Sequence, residues 1–472
     1  MVAPFRRSFG RCAPSSFAIW LALTGEAAAH AGEGAEILLL PTQLYIIGGA
    51  AAVLFSFCVL ALFHRKREKT SEIGAALSHS VPRALVRGLS LASLVLLVIL
   101  ITAGFTGKPD PLTNPLPLAV WTLWWMGFTL LVVIAGNLWS IVNPWIGLYD
   151  LLRWRAPLSY PEHWGYMPAV LLFFCFAWFE LIYVVPQDPE QLAIAVAAYW
   201  LINFSGLLIF GPRWLERGEA FSAFFAMAGS FSPLQWRLVA QEDRSHISLA
   251  IVQRGTHKGD FADLTGVLFI LVTLATVSFD GLSRTFSWVG WLGLNPLEFP
   301  GRSAVLWQNS AGLALSILAL GTIYAAAIEL GPYRTGLVPS RRSALSLFIL
   351  SLVPISIAYH LAHYLPSLIV GFPSAIMALA DPFGLGWSLL PHGVPHAGSS
   401  MGLGAEMVVM IYRVQTAIIV LGHIVATLMA HRIAIAQTED RRKAVIGEIP
   451  LALLMVGYTL FGLWLLSTPQ IG

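Results

Sequence analysis

The chain has 472 residues, 57% of them hydrophobic and 11% charged, with a formal net charge of +3. A soluble globular chain carries about 25% charged residues, so this composition excludes one. The small positive balance sits in Lys and Arg between apolar runs, which is topology information and excludes a nucleic-acid footprint.

The first residues read as a targeting segment. Arg6, Arg7 and Arg11 form a basic stretch, "SSFAIWLALTG" a short apolar one, and "EAAAHAG" offers small residues for cleavage. Cleavage after Ala29 makes residues 1–29 a signal peptide and leaves His30 at the new N-terminus. Cleavage after Ala31 also satisfies the small-residue rule and removes that histidine, and an uncleaved anchor is the remaining alternative.

Apolar runs of membrane-spanning length then recur to the C-terminus. They place spans at about Gln43–Phe63, Leu89–Phe105, Leu116–Val142, Tyr166–Val185, Leu192–Phe210, Leu264–Phe279, Ala304–Leu330, Ser343–Phe372, Glu406–His431 and Pro450–Leu466. Basic clusters fall at alternate ends, beginning with "HRKREK" after the first span. By the positive-inside rule both ends of the mature chain lie outside. The expected fold is therefore all-α, a polytopic transmembrane bundle of about ten spans in one domain over residues 30–472. Residues 212–260 form a cytoplasmic segment, in which "AFSAFFAMAGSF" reads as an interfacial or re-entrant helix. Residues 373–404 form an external loop. Cys12, Cys58 and Cys175 supply neither a disulfide framework nor a CxxC motif.

Ionisable side chains at membrane depth cost a few kcal/mol each and need a partner, a cavity or a task. His360 and His363 lie inside the eighth span, three residues apart and so able to share a cavity. Pro354 and Pro366 bracket them, and such prolines free backbone carbonyls. The ninth span carries Arg413, Gln415 and His423. Glu180 and Asp280 sit near the outer ends of the fourth and sixth spans.

Imidazoles with a carboxylate suit a divalent transition metal such as Zn or Cu. His360, His363 and His423 are the expected ligands, with Asp280, Glu180 or Arg413 supporting them. A histidine at the N-terminus, His30, adds an amine and a ring nitrogen that suit copper. Two other readings stay open for the same residues, an interhelical hydrogen-bond network and a proton or ion relay. Asp381, His392 and His396 lie in the external loop, where solvated side chains are the alternative.

Several stretches resemble the bacterial integral-membrane proteins named fenitrothion hydrolases. They are "AAAHAGEG", "NPW" at Asn143, "YPEHWGYMPAVLLFFCFAWFELIY", "SFDGLSRTFSW", "VPISIAYHLAHYLPSLI", "DPFGLGW" and "YRVQTAIIVLGHIVATLMAHR", scattered in that order over most of the chain. The positions that match are His30, Glu180, Asp280, His363, Asp381, His423 and His431; His360 is not one of them. The resemblance implies an enzyme of the bacterial inner membrane, with periplasmic termini, that cuts the aryl ester of an organophosphorus triester. Asp280, His363 and Asp381 are then the expected catalytic groups, and a lipophilic substrate enters from the bilayer. A transporter or copper-handling permease, or one subunit of a heteromeric membrane complex, are the competing functions.

The cleavage register is directly testable: N-terminal sequencing of the purified protein is expected to return His30, and a start at Gly32 would end the chelate idea.

Overall fold

The computed structural model describes residues 42–62, 77–232, 234–235, 238–241, 244–251, 261, 263–387 and 405–471. The expected signal segment, His30, His392 and His396 lie outside the described residues. The chain is an all-α polytopic bundle. Among the described residues, nine helices are long and apolar enough to cross a membrane. They are α1 (Thr42–Leu62), α2 (Arg83–Thr106), α3 (Pro115–Ala135), α5 (Pro189–Phe210), α7 (Leu264–Ser283), α8 (Arg302–Tyr333), α9 (Arg341–Ala380), α10 (Ala405–Gln437) and α11 (Arg441–Ser467). Two shorter apolar helices, α4 (Met167–Leu181) and α6 (Ala220–Gly229), complete the set.

The expected fourth span is α4, with 15 residues. It rises about 22 Å, short of a hydrocarbon core of about 30 Å. Yet it runs beside α7 for most of that helix. At one end the Tyr166 N–H donates to Thr265 Oγ1 at 2.7 Å. At the other, Glu180 and Asp280 both reach the Tyr364 hydroxyl.

Polar caps start the helices. Asp188, Glu219, Asp263, Ser340 and Asp440 each accept backbone N–H bonds from the first turn of the helix that follows. Several helix ends are pinned at the face that carries most of the Arg and Lys. Arg83 pairs with Asp150, Arg213 with Glu162, Arg217 with Asp263 and Arg341 with Glu329. Arg441 binds the carbonyls of Ala61 and Leu62. Antiparallel strands supplement the helices between α1 and α2 and between α6 and α7. Strand β4 (Arg244–Ile251) pairs with β1 (Leu77–Pro82), β2 (Leu234–Gln235) and β3 (Leu238–Gln241).

Several boundaries differ from the sequence expectation for local reasons. Helix α2 begins at Arg83, directly after Pro82, so Arg83 and Arg87 belong to its first turns. The third span ends at Gly136, whose φ of 89° lies in a region that favours glycine, and not at Val142. Helix α9 continues through Pro373 to Ala380, so the first residues of the expected external loop are helical. Helix α11 starts nine residues before Pro450, which lies inside it.

Burial separates the lining from the wall. The apolar windows of α7 and α9 are 83% and 78% buried, against 17% for α1 and α2, so α7 and α9 form the centre. Helix α6 also belongs to the interior, as eight of its ten residues are buried. After α5 ends at Gly211, the chain turns back along it, with Trp214 packed on Gly206 and Asn203. Glu219 then meets Tyr199 midway along α5. From there α6 descends beside α3, its Phe221 against Trp124 and its Gly229 against Asn137. It is a re-entrant hairpin with a carboxylate at its apex. Glu219 is fully buried and accepts from the Tyr199 hydroxyl, from Phe221 N at 2.9 Å, Ser222 N at 2.6 Å and Trp139 Nε1 at 3.4 Å.

Glu219→Ala should cost on the order of 2–4 kcal/mol, because a helix cap is lost and buried donors are left without an acceptor. Heat denaturation in detergent would report it as a lowered midpoint, with a smaller loss for Glu219→Gln. An unchanged midpoint for the alanine variant would remove Glu219 as the hairpin's anchor.

Candidate functional site

The ionisable residues of α4, α7 and α9 meet at the end of the bundle opposite the basic face. Asp280, near the end of α7, is 1% exposed. Its Oδ1 takes Arg284 Nε at 2.9 Å, one helical turn later in the chain. Its Oδ2 takes His363 Nε2 at 2.7 Å from α9. The next residue on α9, Tyr364, places its hydroxyl 3.2 Å from Asp280 Oδ2 and 2.8 Å from Glu180 Oε1. Trp125 Nε1 donates to the same Glu180 oxygen at 3.0 Å. Arg302, at the start of α8, ties down the end of α4 by bonds to the carbonyls of Glu180 and Tyr183 at 2.8 and 3.2 Å.

His360 lies one turn deeper and is 3% exposed. Its Nε2 is 3.0 Å from the Trp125 carbonyl. A carbonyl only accepts, so Nε2 carries the proton. That carbonyl is available because residues Leu118–Phe128 of α3 are a π-helix, and at its exit Thr129 N–H turns to Met126 O. Trp125 O then accepts from Thr129 Oγ1 and His360. π-Helical turns are frequent at functional sites for this reason.

A second freed carbonyl lies on α9. Pro366 has no N–H, so Ala362 O loses its helical donor. Gln415 Nε2 of α10 donates to it instead at 2.7 Å. Below the cluster is a narrow cavity with polar walls at Glu180, Tyr364, His360, Ser356, Thr273 and Thr276, closed by Trp125, Phe173, Phe176 and Phe224. About 10 Å³ is open to the centre of a water molecule, which is room for one water.

Of the residues expected from the sequence, Glu180, Asp280 and His363 form one hydrogen-bonded unit, and His360 packs on its edge through Tyr364. The others do not join it. His423 faces Tyr359 and Tyr458, and its Nδ1 bonds Ile419 O at 2.8 Å. Arg413 is exposed; the buried polar residues on that stretch of α10 are Gln415 and Thr416. Asp381 follows the end of α9, about 27 Å beyond His363 by helical rise. Its carboxylate accepts from Leu385 N and Gly386 N at 2.9 Å each and shapes an exposed turn. His431 is buried at 5%, and its Nδ1 is 3.1 Å from both oxygens of Glu448.

The expected three-histidine metal site is therefore not assembled. His360, His363 and His423 bond a carbonyl of α3, a carboxylate of α7 and a carbonyl of α10 respectively, in different directions. Among the described residues no group of three or more His, Cys, Asp or Glu side chains has the arrangement to hold a metal ion. The helical spacing of His360 and His363 was legible in the sequence; the directions of their rings were not. Sequence reasoning missed Tyr364, Trp125, Arg302 and Arg284. Only Arg284 had a usable signal, an opposite charge one helical turn after Asp280.

The cluster can hold and move protons. The Tyr364 hydroxyl has one hydrogen for two carboxylates, so it donates to one and can accept from the other when that one is protonated. His363 donates through Nε2 to Asp280, which leaves its Nδ1 lone pair as a base. Compared with known proteins, the chain matches no family model, no curated protein and no solved structure.

Asp280→Leu strips the acceptor from Arg284 and His363. Breaking a buried ion pair costs about 3–5 kcal/mol, and the 44% exposure of the Arg284 side chain puts this one at the low end. Tyr364→Phe should cost about 1.5–3 kcal/mol, the range for a hydrogen bond to a charged group. Thermal unfolding in detergent checks both, with Asp280→Leu expected to be the worse.

Proposed function

We propose that the chain is an integral-membrane hydrolase in which His363, oriented by Asp280, takes the proton from a water molecule that attacks an organophosphorus triester. The observation that carries this reading is the 2.7 Å bond between His363 Nε2 and the buried Asp280 carboxylate. Such a carboxylate selects the imidazole tautomer and stabilises the imidazolium that forms. The His363 side chain is 21% exposed, whereas its partner is 2% exposed, so the base has access and the orienting acid does not.

The resemblance supplies the substrate class, and of the positions on which it rests, Glu180 and Asp280 are joined by Tyr364, and His363 is joined to them by Asp280. The water oxygen bonds to phosphorus as the phosphorus–aryloxy bond breaks. The water proton goes to His363 Nδ1, and the aryloxide leaves with the bond pair. The Arg284 guanidinium beside the dyad favours negative charge developing there. A cavity with room for one water does not hold an aryl triester, so the substrate meets His363 at its exposed edge. The apolar, lipid-length helices around the site suit a lipophilic substrate dissolved in the bilayer.

A second reading, a proton-coupled transporter, is favoured by a separate observation. A further buried imidazole–carboxylate pair, His431–Glu448, lies toward the basic face.

Purified protein in lipid should release nitrophenol from a nitrophenyl thiophosphate triester. His363→Gln is expected to lower the rate by about 100-fold or more, the contribution of a positioned general base. Asp280→Asn should lower it as well and shift the pH profile, because the imidazolium loses its counter-charge. Wild-type protein that is folded and releases no nitrophenol would sink the hydrolase reading.

A further inference from the structure

The last described residues of the chain return to the site. Helix α11 ends at Ser467, and Thr468 leaves it in an extended conformation. The next three residues pair with the residues that follow α7. Phe286 N–H donates to Pro469 O at 3.1 Å, and Ile471 N–H donates to Arg284 O at 2.8 Å. Between these two bonds Thr285 and Gln470 face each other as an antiparallel bridge. Gln470 Nε2 also reaches back to Leu465 O at 3.3 Å. Leu465 in turn lies against Gly281, next to Asp280, where an added Cβ would come within 3.3 Å of it. Pro469 and Gln470 are exposed, so the pairing is made by backbone bonds and not by apolar packing.

Arg284 is the residue at which α7 ends. The last carbonyls of a helix have no donor inside it, and Ile471 N–H is the donor that the Arg284 carbonyl receives. The Arg284 side chain holds Asp280 Oδ1 at 2.9 Å and is 44% exposed, against 2% for its partner. An ion pair made by a half-exposed arginine is weak by itself, because a long side chain has to be kept in one geometry. Fixing the backbone beneath it removes part of that cost. On its other side Asp280 meets His363 and Tyr364 of α9, and Tyr364 shares its hydroxyl with Glu180 of α4. Where Arg284 points therefore decides how much of the Asp280 charge is left to His363.

We propose that residues 469–471 form a strap that keeps Arg284 on Asp280, which makes Ile471 a positioning residue acting through Arg284. The part this gives Ile471 in catalysis rests on the hydrolase reading; the strap itself does not. It makes the setting of the Asp280–His363 pair depend on the far end of the chain. Displacing the strap frees Arg284 to turn to water and leaves the Asp280 charge to His363 and Tyr364.

Ile471→Pro removes the N–H that the Arg284 carbonyl accepts, and Ile471→Ala keeps it. In full-length protein in lipid, with ring-labelled histidine, the nitrogen NMR shifts of His363 should move in Ile471→Pro and stay at their wild-type values in Ile471→Ala. In an Arg284→Gln background Ile471→Pro should move them no further, because a strap that works through the arginine then has nothing to hold. A merely structural tail would disturb both backgrounds alike. Shifts that ignore Ile471→Pro overturn the strap, as do shifts that respond equally with and without Arg284. Should Ile471→Pro fail to fold, Phe286→Pro decides by the same shifts, since it removes the other N–H at the first position of the short helix Phe286–Trp291, where proline is accepted. None of this needs a substrate, so protein that releases no nitrophenol sinks the hydrolase reading and leaves the strap standing. Where nitrophenol is released, Ile471→Pro should slow it about tenfold and Ile471→Ala should not, and an unchanged rate overturns the positioning role.

Discussion

The arrangement depends on one carboxylate held at membrane depth. Asp280 is 1% exposed in a bundle built almost wholly from apolar side chains. A charge there is tolerated only when its lone pairs are filled by donors, and three side chains supply them. Arg284 comes from the following turn, His363 and Tyr364 from α9. Tyr364 then draws in Glu180, and so fixes α4 against α7 and α9. The most buried helices are central because they carry this unit between them, while α1 and α2 face outward with little polar content.

The same constraint acts on the backbone. Lipid offers no partner for an exposed carbonyl, so every irregularity in a helix has to be met by a side chain. Pro366 frees Ala362 O and Gln415 satisfies it. The π-helical turn of α3 turns Trp125 O toward His360. The re-entrant helix α6 exposes N–H groups at its buried start, and Glu219 takes them. At each place a polar residue that looks out of place in an apolar run answers a specific backbone defect. His360 belongs to this class more than to the reactive one.

Much of the site was legible in single residues and little of it in their relations. Asp280, Glu180 and His363 stand out as ionisable groups in apolar runs, and they do meet. His423 stands out equally and turns to another face of α9. Arg413 shares its helix yet is exposed, and Asp381 is spent on a turn. Tyr364 and Trp125 carried no signal, because aromatic residues are common in every span and their hydrogen bonds depend on neighbours far along the chain.

The sequence alone determined that the chain is a helical membrane protein, roughly where its helices run, and which residues are too polar for lipid. Those properties follow from local composition and from the length needed to cross a bilayer. Only the tertiary structure decided which polar residues answer one another. A ring or carboxylate on a helix can turn toward several neighbours, and packing between helices distant in sequence selects one. That selection made a hydrogen-bonded acid–base cluster of Asp280, His363, Tyr364 and Glu180, where spacing had suggested three histidines around a metal.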